Sequence, residues 1–167
     1  HPKTKDKDKW IKAADEELEN IEDHGVWDDM FDTPSSFLRT TWVFKKKPST
    51  LSALERKKAR LCIQGFSKIP GIDYGDTFAP TGKFTSLLML LTFAIDKKLP
   101  LRQFDVKSAF LYAPLKEELY IKTPEGSKQT APFLKLKKSL YRFKQAPVNW
   151  YNTLTRWFEE INFEQSS

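Results

Sequence analysis

The chain has 167 residues, enough for one core with at most a smaller second lobe. Its hydrophobic content of 40% and aromatic content of 14% exclude a disordered chain, and no apolar run approaches a membrane span or a signal peptide. A net charge of +6 and a pI of about 9.3 favour nucleic acid or an acidic surface as partner, and equally suit an ordinary basic domain.

Trp10, Ala14, Leu18 and Ile21 recur at helical spacing with acids between them, which predicts an amphipathic helix over Lys9–Asp23 that Gly25 ends. Thr41-Trp42-Val43-Phe44 is rich in aromatic and branched residues and predicts a strand. Pro48 to Ser52 turns, and Arg60-Leu61-Cys62-Ile63 returns, making a hairpin with a basic tip. Pro70 to Asp76 is loop-like. Phe84, Leu87, Leu88, Leu91 and Ile95 form a second helical stripe, with Thr85 or Ser86 near its start. Leu101 to Val106 predicts a buried strand, Pro114 to Glu117 a turn, and Leu119 to Lys122 a returning strand. Pro147 fits the first turn of a last helix with Trp150, Leu154, Trp157, Phe158 and Ile161 on its apolar face. This mixed order predicts an α+β fold.

Charge is segregated along the chain. Nine basic residues and one acid, Glu55, lie between Arg39 and Lys68, and Phe133 to Trp150 is basic with no acid, whereas Asp15 to Asp32 is strongly acidic. A basic face follows, with Lys45, Lys46, Lys47, Lys57 and Lys144 as candidate contacts to a nucleic-acid backbone. Cys62 is the single cysteine, which predicts a reducing, intracellular compartment without distinguishing cytoplasm from nucleus. With His1 and His24 it cannot build a zinc site.

Asp105 stands inside the apolar run Leu101 to Tyr112, and no aspartate follows it. An acid in such a run suits a strand that delivers a metal-binding carboxylate, yet two-metal phosphoryl transfer needs more than one. Lys58 and Arg60, two apart on a strand, share one face. By themselves they read equally as a phosphate contact or a solvated strand face. Phe110 by itself reads as a core aromatic, and Gln145 as a loop residue before a helix-opening proline.

The ordered series Trp42-Val43-Phe44, Lys58-Ala59-Arg60-Leu61, Gln64-Gly65-Phe66, Gly71-Ile72-Asp73-Tyr74, Thr77-Phe78-Ala79-Pro80, Phe104-Asp105-Val106-Lys107-Ser108-Ala109-Phe110-Leu111, Glu117-Glu118-Leu119-Tyr120, Pro124-Glu125-Gly126, Ser139-Leu140-Tyr141 and Lys144-Gln145-Ala146-Pro147 resembles the copia-type retrotransposon reverse transcriptases. The resemblance runs from about Trp10 to Phe163. It implies the fingers, over about residues 9–100, and the first part of the palm, over residues 101–167, of a right-hand polymerase. The family's paired aspartates lie downstream of the Gln-Ala-Pro segment. It implies Asp105, with Val106 beside it, as the catalytic and Mg²⁺-binding position. It also implies Lys58 and Arg60 as contacts to the nucleotide triphosphate, Phe110 as the aromatic against the sugar's 2′ position, and Gln145 near the nascent base pair. The implied partners are an RNA or DNA template-primer and deoxynucleotides.

This chain departs from the family's common pattern where Arg142 replaces glycine, Leu88 replaces arginine, Ala113 replaces glycine and Lys68 replaces glutamine. Both termini read as cuts through a longer protein, so an open palm edge is expected to favour self-association or a protein partner, with no membrane involved. The expected function is a reverse transcriptase fragment, inactive by itself. The alternative is a domesticated nucleic-acid-binding or protein-interaction module, or a relic without activity.

Overall fold

Residues 6–49, 54–64 and 79–164 are described by a computed structural model. The predicted turn at Pro48 to Ser52 lies partly outside these residues, and the loop at Pro70 to Asp76 wholly so. The apolar spacing of the first segment forms α1, Lys7–Asp23, which buries Ala13, Glu17, Leu18 and Ile21. Its C-terminus is closed by Gly25, whose amide donates to the Glu22 carbonyl at 2.8 Å from a backbone with φ +58°.

Trp27–Met30 forms β1, followed by the predicted hairpin of β2 (Thr40–Lys47) and β3 (Arg56–Ile63). The hairpin is antiparallel, pairing Trp42 with Leu61 and Lys47 with Arg56. Next come α2 (Phe84–Asp96), a 3₁₀ turn (Ala109–Tyr112), β4 (Pro114–Lys122), β5 (Phe133–Lys138) and α3 (Ala146–Glu160). The second sheet has the order β1-β5-β4, all antiparallel. The fold is therefore α+β.

One core joins these parts. Leu18 and Ile21 of α1 pack with Val26, Trp27, Leu61, Ile63, Leu111, Ile121, Leu134, Leu136, Leu140 and Phe143. Trp42 is partly buried against this cluster, a packing role. Backbone bonds tie the chain entering the hairpin to β4, and β3 to the segment after β5. The Leu38 amide donates to the Tyr120 carbonyl at 2.8 Å, and the Ile63 amide to the Tyr141 carbonyl at 3.0 Å.

Three features depart from the sequence expectations. Leu101–Val106 is not a buried strand: the segment is irregular, and Leu101, Phe104 and Val106 are exposed. Among the described residues no strand pairs with it, so its amides and apolar side chains find no sheet to join. The α2 helix forms, but of its residues only Ala94 is buried, while Phe84, Leu87, Met89, Leu90 and Phe93 face outward. Its first turn has Lys83 as N-cap, with no side-chain cap from Thr85 or Ser86. Finally, Pro114–Glu117 begins β4 instead of forming a separate turn, and the pairing with β5 shifts register between Pro114 and Leu119. Proline lacks the amide that a regular ladder needs there.

Arg142 adopts φ +63°, the conformation that suits the glycine of the family's common pattern. We expect Arg142→Gly to raise stability by about 0.5–1 kcal/mol. Gly25→Ala should lower it by about 1 kcal/mol through backbone strain alone, because an added Cβ at Gly25 meets nothing within 4 Å. Urea melts of both variants with unchanged m-values check the pair of opposite signs.

Candidate functional site

Strand alternation decides what β3 presents. Ala59, Leu61 and Ile63 point into the core, and Lys58 and Arg60 point the other way. β3 borders a cleft of about 540 Å³ between α1, the hairpin and the loop entering the 3₁₀ turn, to which both phases of the strand contribute, Lys57 and Ala59 as well as Lys58 and Arg60. Lys47, Arg56, Lys57, Lys58 and Arg60 line it, together with Asp105, Val106, Lys107 and Phe110. The cleft therefore brings together five of the positions singled out by the resemblance: Lys58, Arg60, Asp105, Val106 and Phe110.

The loop is held in place by a latch on α1. Asn20 Nδ2 donates to Ser108 Oγ at 3.1 Å, and Ser108 itself takes φ +57°. The Tyr141 hydroxyl also bonds Ser108, and the Tyr141 ring lies 6.3 Å from that of Phe110, edge to face. Phe110 is partly buried against the core. The Arg60 guanidinium rests 5.3 Å from the Tyr141 ring centroid, a cation–π contact that fixes its direction.

Other positions lie elsewhere. Gln145 is buried at the start of α3, is not among the cleft's lining residues, and its Nε2 donates to Glu117 Oε1 at 2.6 Å. Lys57 lines the cleft, yet its side chain is 9% exposed and pairs with Asp6 and Glu55 at 3.4 Å each. It also lies 5.2 Å from the Trp10 ring, so its charge is already satisfied inside the protein. Lys46 pairs with Glu55 at 2.8 Å. Lys45 and Lys144 are exposed. The second basic strip is partly neutralised: Lys137 pairs with Asp28 at 2.6 Å, Lys135 with Glu118, and Lys138 donates to the His24 carbonyl.

The carboxylate of Asp105 does not by itself make a divalent-metal site. It is exposed, and among the described residues no group of three His, Cys, Asp or Glu side chains converges.

The cleft's least expected member is Glu17 of α1. It is 8% exposed, and its Oε1 has no hydrogen-bond partner. Burial pushes its carboxyl up to about 7, against the pull of Lys58, Arg60, a backbone hydrogen bond at Leu61 and Lys107. The sequence carried a signal for it. Glu17 stands one helical turn from both Ala13 and Ile21, on the face that α1 buries.

Because the folded carboxyl holds its proton above the ordinary 4.5, the folded state binds more protons than the unfolded one between pH 4.5 and about 7. Stability should therefore fall as pH rises through that window and level off above it. After allowance for solvent screening we expect a loss of about 2 kcal/mol. Denaturant melts at pH 5 and 8 should show this loss in the wild type and not in Glu17→Gln.

Comparison with known proteins identifies the family. Residues 26–167 match the family described as reverse transcriptase (RNA-dependent DNA polymerase). The chain is 36% identical over 164 residues to a retrovirus-related Pol polyprotein from transposon RE1 of Arabidopsis thaliana, covering 95% of this chain and 11% of the relative. It is 35% identical over 164 residues to the RE2 polyprotein of the same plant, again 95% of this chain and 11% of the relative. It is 39% identical over 156 residues to the Pol polyprotein from transposon TNT 1-94 of Nicotiana tabacum, covering 90% of this chain and 11% of that one. The chain thus spans about a tenth of the length of the curated relatives it matches. No solved structure matches it significantly. On the family match, which covers most of its length, the chain belongs to the reverse transcriptase (RNA-dependent DNA polymerase) family.

Proposed function

We propose that this chain comes from a retrotransposon Pol polyprotein as the fingers, over about residues 9–100, and the first part of the palm, over residues 101–167, of a right-hand polymerase, and that in the intact polyprotein it serves template-directed DNA synthesis. The observation that carries this reading is the cleft, where Lys58, Arg60, Asp105 and Phe110 converge although up to 52 positions separate them in sequence. A cleft with guanidinium and ammonium groups on one wall and an aromatic ring on another suits a nucleoside triphosphate. Lys58 and Arg60 take the phosphates, and Phe110 stands against the sugar. Mg²⁺ belongs to the intact enzyme in this reading, with Asp105 as one of its carboxylates.

The chain by itself should not polymerise, because the reaction needs further carboxylates and no aspartate follows Asp105. Primer-extension gels with deoxynucleotides and Mg²⁺ should show no product. Extension that disappears in Asp105→Asn would overturn this expectation.

The reading also assigns a template-primer as partner, held through its phosphates by hairpin lysines such as exposed Lys45 and half-buried Lys47. We expect weak binding to single strands and duplexes, without sequence preference, whose affinity falls steeply with salt. Lys45→Ala combined with Lys47→Ala should reduce the salt slope by one to two units, as about one unit is lost per phosphate contact. Lys57→Ala should leave the slope in place, since Lys57 is held by Asp6, Glu55 and Trp10. Fluorescence anisotropy across a salt series measures both.

No helix among the described residues is long and apolar enough to cross a membrane. Self-association belongs to this proposal too. The exposed apolar side chains of α2 and of Leu99, Leu101, Phe104 and Val106 offer a surface for it.

A further inference from the structure

Glu17 is the buried polar group that the nucleotide reading leaves without a role. Its Oε1 is buried without a hydrogen-bond partner, although the carboxyl accepts a backbone hydrogen bond at Leu61, and the residue lines the same cleft. Among the described residues it forms no ion pair, although Lys58 and Arg60 act on it electrostatically from β3. The other titratable or charged groups around the cleft are Glu16 on α1, Lys47 on β2, Arg56 and Lys57 on β3, Asp105 and Lys107 on the loop, and Tyr141. An unpartnered buried oxygen is costly unless a ligand or a proton completes it.

An anion drawn to Lys58 and Arg60 arrives beside this carboxyl. An ionised Glu17 repels it. A neutral Glu17 carries an O–H and becomes a hydrogen-bond donor. The apolar packing around α1 already favours the neutral form, so conversion near pH 7 needs little.

Resting on the reading of this cleft as a polyphosphate site, we propose that Glu17 is one of its ligand contacts. Its carboxyl takes one proton from solvent as a polyphosphate seats beside Lys58 and Arg60, and donates that proton as a hydrogen bond to a phosphoryl oxygen. No covalent bond forms or breaks, and the proton returns to solvent when the ligand leaves. Nucleotide affinity is thereby coupled to pH through a helix residue that has no charge to offer a phosphate.

Titration calorimetry of the chain with inorganic tripolyphosphate, at pH 6 and 8 and in two buffers of different ionisation heat, tests this. The ligand's own titration is common to all variants, so differences between them isolate residue 17. Wild-type affinity should fall about tenfold more than that of Glu17→Gln between the two pH values, as expected for one linked proton. The wild type should also take up more protons than Glu17→Gln at pH 8. Glu17→Leu, which has no donor, should bind weakly at both pH values. Equal pH dependence and equal proton uptake in wild type and Glu17→Gln, with binding still lost in a Lys58→Ala/Arg60→Ala double variant, overturn the role of Glu17 and leave the cleft reading standing. Tight binding by Glu17→Leu at pH 8 overturns the hydrogen bond. Absence of tripolyphosphate binding by every protein overturns the cleft reading and this inference with it. Should Glu17→Gln fail to fold by circular dichroism, the Glu17 carboxyl carbon resonance of the ¹³C-glutamate-labelled wild type decides. A move to the neutral position on adding tripolyphosphate at pH 8 supports the proposal, and an unmoved resonance overturns it.

Discussion

The two-residue period of β3 is the constraint on which the rest of the structure depends. Leu61 and Ile63 must reach the core, and that requirement turns Lys58 and Arg60 the other way. A slip of one residue would bury the cations and expose the aliphatics, so the core enforces the direction of the basic face. The α1 helix covers β3 and contributes Leu18 and Ile21 to the core. The same helix supplies Glu17 and Asn20 to the cleft. Core and site are thus two faces of one helix–strand contact, and neither can be moved without the other.

Local charges are settled in a way that the net charge hides. The acidic stretch around α1 and β1 answers part of the basic stretch of β5, through Asp28 with Lys137 and the His24 carbonyl with Lys138. The Asp28–Lys137 pair is exposed and adds little stability, and the Lys138 bond is part-buried, but both occupy cations that a polyanion would otherwise meet. Lys57 is occupied as well, enclosed by Asp6, Glu55 and Trp10. The cleft keeps Lys58 and Arg60, and at Lys58 burial and the neighbouring Arg60 and Lys47 charges pull the ammonium pKa down. Repulsion among cations of this kind is relieved when a polyanion enters between them.

By contrast, α2 and the segment that follows it are weakly integrated. Their apolar side chains look outward, and Ala94 is the helix's single buried residue. The segment is fastened to the cleft at Ser108, through Asn20 and Tyr141. Asp105 lies three residues before that latch, so its position depends on the latch and not on a strand of its own.

Periodicity in the sequence determined α1, the β2–β3 hairpin, the returning strand of β4 and α3, because each is fixed by contacts between near neighbours along the chain. The ordered motifs determined the family and pointed to Lys58, Arg60, Asp105 and Phe110. Tertiary structure decided what local pattern cannot encode. β1 and β5 are short or interrupted by lysines, and they become strands only by pairing with each other and with β4. Leu101–Val106 has the composition of a strand but no neighbour to take its hydrogen bonds. Lys57 and Lys58 are adjacent and chemically alike, yet Trp10 and two acids hold one while the other faces the cleft with Glu17. That division, and the burial of Glu17 itself, arises where α1 crosses β3, a contact between residues some forty positions apart.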